Sequence, residues 1–143
     1  MDTVENIVYV PYRITRAFIR LHQDWSFVYG NVWGNHIRKG QAEQALGEPN
    51  AFYVPTRHLP CTCAHSLWND FNFSFWLFLF EDCLNDIPRD KPIMLFPKIG
   101  TGGSSLNLAA PKIYRYMTEK LNEIKCPWIV INPYMQPYKP NEN

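Results

Sequence analysis

Ile7-Val8-Tyr9-Val10 is an apolar run rich in β-branched residues, closed by Pro11, and it reads as a strand. Thr15 then offers a helix N-cap, with Ala17, Phe18 and Leu21 on one face of a short helix ending near Gln23. Trp25 to Tyr29 reads as a strand that stops at Gly30. A polar stretch follows, leading into a helix through Leu46 that Gly47-Glu48-Pro49-Asn50 closes, and Ala51 to Val54 is the next strand. Asn69 or Asp70 can cap a helix running to about Leu84. Phe71, Phe73 and Phe75 alternate as a strand would, but the run is long for a strand, so the pattern predicts a helix. Pro92 to Phe96 reads as a buried strand, Pro111 to Ile124 as an amphipathic helix opened by proline, and Trp128 to Ile131 as the closing strand. Residues 1–132 are expected to form one domain and residues 133–143 a tail.

Strands alternating with helices predict an α/β fold with a mainly parallel sheet, whose ligands sit outside the carboxyl ends of strands. Two glycine-punctuated loops each follow a predicted strand directly. The first runs from Gly30 through Gly34 and Gly40 to Ala42, and the second is Lys98-Ile99-Gly100-Thr101-Gly102-Gly103-Ser104-Ser105. Glycine lets backbone amides approach an anion without an obstructing Cβ, and a helix opening after such a loop adds the positive end of its dipole. Such loops are also ordinary turns, and a single G-x-G pair says little. Two of them converging at one sheet edge favour a ligand. No Gly-Lys-Ser/Thr follows at Walker spacing, and no dinucleotide fingerprint follows the first strand with an acid downstream, so both of those cradles are excluded.

Composition narrows the classes further. With 14 Lys and Arg against 13 Asp and Glu, a net charge of +1 argues against a protein devoted to neutralising nucleic acid or an anionic membrane. A chain of 143 residues with 46% hydrophobic residues can bury a full core unaided by metal or disulfides. Met1 to Asn6 holds two acids and no base, unlike a secretory leader. The run Phe71 to Phe80 is about half the length needed to cross a bilayer. A cytoplasmic location is expected, with Cys61, Cys63, Cys83 and Cys126 reduced. His58 and the Cys61-Thr62-Cys63-Ala64-His65 stretch carry zinc-type donors, but at spacing unlike a structural site, so neither metal nor cofactor is expected.

Several side chains have two readings. His36, in the first loop, is either a phosphate contact or acid-base group, or a solvated loop histidine. Glu48 is the carboxylate nearest the loops in sequence. It could orient a water, although Glu before Pro at a helix end more often caps or pairs with a neighbour. Trp33 is either a plug over the core or a flat wall for a base or ribose. The Phe-rich helix is foremost core, with an apolar excess that would suit a homo-oligomer interface or another protein partner.

A set of motifs completes the sequence reading. Phe96-Pro97-Lys98-Ile99-Gly100-Thr101-Gly102 before Ala109-Ala110-Pro111 resembles the second diphosphate loop of macrodomains. Ile14-Thr15-Arg16, Tyr29-Gly30-Asn31, Gly40-Gln41-Ala42, Gly47-Glu48-Pro49-Asn50-Ala51 and Pro55-Thr56 resemble a narrower group of small phage and bacterial macrodomain-like proteins. The resemblance runs from about Val10 to Ile131 and implies a three-layer α/β/α domain that binds ADP-ribose or a related NAD-derived nucleotide. In a phage it would imply a protein of the host cytoplasm that antagonises host defence by sequestering a nucleotide signal. Carried over by position, Asn31, after Gly30 at the strand end, faces a ribose. Lys39, Gly40 and Gln41 lie under one phosphate, and Gly100, Thr101, Gly102, Gly103 and Ser104 wrap the other. Asn132 and Tyr134 fall where macrodomains often contact adenine. Some macrodomains hydrolyse ADP-ribosyl bonds or ADP-ribose phosphates. The narrower group has Gly-Asp-Asn where this chain has Gly30-Asn31-Val32, so an acid is lost. Glu48, Lys39 and His36 remain as catalytic candidates, and binding without turnover is the favoured expectation.

Overall fold

The computed structural model of the chain describes residues 14–59, 66–101, 105–124, 126 and 130–131. The strand expected at Ile7 to Val10, the Cys61 to His65 stretch and the tail lie outside the described residues. The elements in chain order are α1 (Arg16–Leu21), β1 (Ser26–Val32), α2 (Ala42–Ala45), β2 (Ala51–Arg57), a 3-10 turn at Asp70–Asn72, α3 (Phe73–Asn85), β3 (Ile93–Leu95), α4 (Leu106–Ala109), α5 (Pro111–Asn122) and β4 (Val130–Ile131). The fold is mixed α/β. Its described strands form one sheet in the order β2-β1-β3-β4, and every pairing is parallel.

Local chemistry accounts for most boundaries. Thr15 caps α1 through its hydroxyl, which accepts from the Phe18 N–H. Asn69 and Asn72 form a reciprocal capping box at the turn into α3. That pair resolves the ambiguity of the alternating phenylalanines in favour of the helix. Pro111 opens α5, and the Asp70 carboxylate accepts from the Lys112 and Ile113 N–H groups, so the first amides of this helix are satisfied from within the chain.

Two strands run further than the sequence suggests. β1 passes through Gly30 to Val32, because Gly30 and Asn31 keep their pairing with β2. β2 passes through Pro55 to Arg57. It is the outer strand of the described sheet, and the Pro55 carbonyl accepts from the Trp76 indole of α3 instead of from β1, so the proline interrupts no ladder bond. Thr56 is the extra residue of a bulge opposite Asn31 and Val32. α4 is missing from the sequence reading, since Leu106 to Ala109 is one turn without a side-chain cap.

Every residue of β3 is buried, as is every residue of β1 except half-buried Gly30, so both faces of the central strands are covered. Trp68, Trp76 and Phe80 lie in the core, with Trp76 stacked on Phe80 at 4.6 Å between ring centroids. Tyr116 of α5 meets Phe73, Trp76 and Phe80 edge-on, and Lys112 lies over Phe73, so α5 runs alongside α3 in the same direction.

Candidate functional site

The strand order reverses beside β1. The chain places β2 on one side of it and then crosses to lay β3 on the other. At such a switch point the connections leave in opposite directions and open a crevice beyond the carboxyl ends of the two central strands. Both glycine-punctuated loops begin there, one after β1 and one after β3.

β1 and β3 part just past their last paired residues, Val28 and Leu95, after the Phe96 N–H has donated to the Val28 carbonyl. Gln41 takes over at that point. Its side-chain Oε1 accepts from the Gly30 N–H at 2.9 Å, and its Nε2 donates to the Pro97 carbonyl at 2.7 Å. One amide side chain thus replaces the next rung of the ladder and fixes the spacing of the two loops. Gly30 has no room for a side chain, because a Cβ there would meet Thr56 Cγ2 at 2.9 Å.

The first loop is held from below by two register partners, Tyr29 and Tyr53. The Tyr29 hydroxyl donates to Asn35 Oδ1 at 2.7 Å, and the Tyr53 hydroxyl accepts from the Gly34 N–H. Asn31 is buried; its Oδ1 accepts from the Val32 N–H, and its Nδ2 donates to Asn35 Oδ1 at 2.8 Å. Its side chain therefore ties the loop to the strand instead of standing open toward a sugar. Burial raises the Tyr29 phenol above its ordinary pKa and pushes Tyr53 up to about 12, so both remain neutral hydrogen-bonding groups.

Trp33 is 38% exposed at the lip of this loop, roughly parallel to His58 and edge-on to Phe75 at 5.2 Å. His58 is in turn stacked on buried Trp68 at 4.3 Å. One part of the indole thus rests on a fixed aromatic cluster and the other faces solvent. His36, Lys39 and Gly40 are exposed, and Gly40 turns the chain with φ +62°.

In the second loop, Lys98 has φ +57° and the Thr101 hydroxyl donates back to its carbonyl at 2.8 Å. Gly100 has φ +91°, and a Cβ there would meet Met117 and Tyr114 of α5 at 3.0 and 3.1 Å. A side chain at Gly100 would suffer both backbone strain and overlap, so this glycine serves the packing of the loop on α5. Gly102, Gly103, Ser104, Asn132 and Tyr134 lie outside the described residues. The helices nearest the two loops, α2 and α4, have four residues each, and α5 is already capped by Asp70. Anion attraction here would come from loop amides and the exposed Lys39 and Lys98, with little help from helix dipoles.

Glu48 lies away from that chemistry. Buried in the turn after α2, it pairs with Arg16 and with Arg20. Burial pushes its carboxyl up, but hydrogen bonds and charge from Arg20 and Arg16 outweigh this and leave the pKa below the ordinary value. A carboxylate held ionised by two guanidinium groups is a structural anchor and a poor proton acceptor. Arg16 also donates to the Leu46 and Glu43 carbonyls, and Asn50 Nδ2 donates to the Ile19 and His22 carbonyls. The Ile-Thr-Arg and Gly-Glu-Pro-Asn motifs therefore lock α1 to the turn between α2 and β2.

Cys83 is buried beside Tyr53, and burial pushes its thiol up to about 11, the reverse of what a nucleophile needs. Among the described residues no group of three or more His, Cys, Asp or Glu is placed to hold a metal, and no helix is long and apolar enough to cross a membrane. Asn35 and Tyr53 shape the site without any local sequence signal, and Tyr29 and Thr56, which stand in the Tyr-Gly-Asn and Pro-Thr motifs, join them through sheet register and a loop that folds back.

Residues 9–120 match the family model of DUF7831, a family of unknown function, and the chain belongs to that family. No curated protein and no solved structure matches it.

Proposed function

We propose that this chain is a macrodomain-like module that binds ADP-ribose or a related NAD-derived nucleotide, with the diphosphate in the crevice between the loops that follow β1 and β3. The observation that carries this reading is the Gln41 bridge: two glycine-punctuated loops meet at a strand-order switch point, at a separation fixed by one side chain. Exposed Lys39 and Lys98 would supply charge to a diphosphate, and the free part of Trp33 would supply a flat apolar wall to a sugar or base. Binding without turnover is the better-supported form. Glu48 is held by two arginines and Asn31 cannot accept a proton, which leaves His36 and Lys39, both in open solvent.

Calorimetry and thermal shift with ADP-ribose, cyclic ADP-ribose forms, NAD and AMP test the proposal. A ligand at about 100 times its Kd adds about 2.7 kcal/mol of stability, which a melt reads directly. Absence of heat and of any shift across the panel overturns the reading. Product accumulating at about 1 per second from ADP-ribosylated protein or ADP-ribose phosphate would replace it with the hydrolase alternative.

A further inference from the structure

The outward face of α3 and the turn before it carries three phenylalanines at helical spacing, Phe71, Phe75 and Phe78, exposed by 100%, 43% and 72%. No part of the ligand crevice uses Phe71 or Phe78. We propose that this stripe is a homodimer interface, in which two copies of α3 pack antiparallel about a twofold axis near Ser74 and Phe75.

Two features select a second copy as the occupant. The spacing is self-complementary: with the axis at that point, Phe71 of one copy meets Phe78 of the other, and the two Phe75 side chains flank the centre. The area also suits a dimer. With about 150–250 Å² for an aromatic side chain, the exposed parts of the three rings come to roughly 400 Å² per copy. At the roughly two-thirds apolar content of a homodimer interface, both copies together reach about 1,200 Å², the lower end of specific interfaces.

Sedimentation and light scattering across a concentration series decide this. The wild-type chain is expected to dimerise at roughly 100 µM or below, as interfaces of this size allow. Phe71→Ser with Phe78→Ser should yield a folded monomer by circular dichroism, since both side chains stand in solvent. A wild-type chain that stays monomeric throughout overturns the proposal and leaves the stripe to another occupant. A dimer that survives the double serine variant overturns it equally.

Discussion

Gln41→Met tests the element on which the site geometry rests. Methionine keeps the length and flexibility of the side chain but removes the amide, so the hydrogen bonds to the Gly30 N–H and the Pro97 carbonyl, at 2.9 and 2.7 Å, are lost together. A hydrogen bond contributes about 0.5–1.5 kcal/mol net, and a buried group left unpaired costs about 1–3 kcal/mol. Gly30 and Pro97 are half-buried, so water can reach them in part and the lower portion of that range applies. The expected loss is about 2 kcal/mol, or roughly 6–10 °C in Tm for a chain of this length. Urea unfolding measures the first figure and a thermal melt the second. Gln41→Glu should fare no better near neutral pH, because its carboxylate can still accept from Gly30 but faces the Pro97 carbonyl without a proton to donate. If the methionine variant is within about 0.5 kcal/mol of wild type, the range of an ordinary surface substitution, the bridge does not fix the crevice.

Two further predictions concern groups whose ionisation the structure biases. Glu48→Gln should destabilise by about 1–2 kcal/mol near neutral pH, less than a fully buried pair because Arg20 is 65% exposed. The Glu48 pKa is lowered in the folded state, so its contribution is present above the unfolded value near 4.5 and fades as the pH falls; urea titrations of variant and wild type should converge in acid. A gap that persists unchanged at low pH would refute the ion-pair account. Cys83 should resist alkylation near neutral pH and react only as the pH approaches its thiol value of about 11, which mass spectrometry of the modified peptide reads; rapid labelling at neutral pH would show the thiol is open to solvent.

What could be read from the sequence divides along the range of the interactions involved. Thr15, Asn69 and Pro111 signal their helices because a cap acts within three residues, and all three stand where the structure begins those elements. The alternation of strand and helix announces a parallel α/β sheet for the same reason. Pro55 misleads, since its effect depends on whether its strand is central or outer, a property of the sheet and not of the strand. Glu48 can be paired in principle from its place before a proline, yet Arg16 and Arg20 lie 32 and 28 residues away, and nothing local identifies them. The face of α3 shows a third kind of gap. Periodicity gives the stripe of phenylalanines, but whether it turns inward or outward is decided by what α5 and the sheet have already covered.

The same distinction of range bears on how the crevice residues should be ranked. A motif can recur because its side chains meet a ligand or because they hold the scaffold under it, and only long-range partners tell the two apart. Asn31 and Gln41 follow glycines in loop-like sequence and invite the first reading. Asn31 spends its amide on Val32 and Asn35, and Gln41 spends its own on Gly30 and Pro97, so both belong to the scaffold. The groups left for a ligand are plainer: Trp33 on its aromatic support, and the two exposed lysines that flank the crevice. Under the proposed function, a site of this composition would recognise shape and negative charge through a preset frame, and the frame residues should therefore be more sensitive to isosteric change than the lysines, whose charge acts through water at a distance.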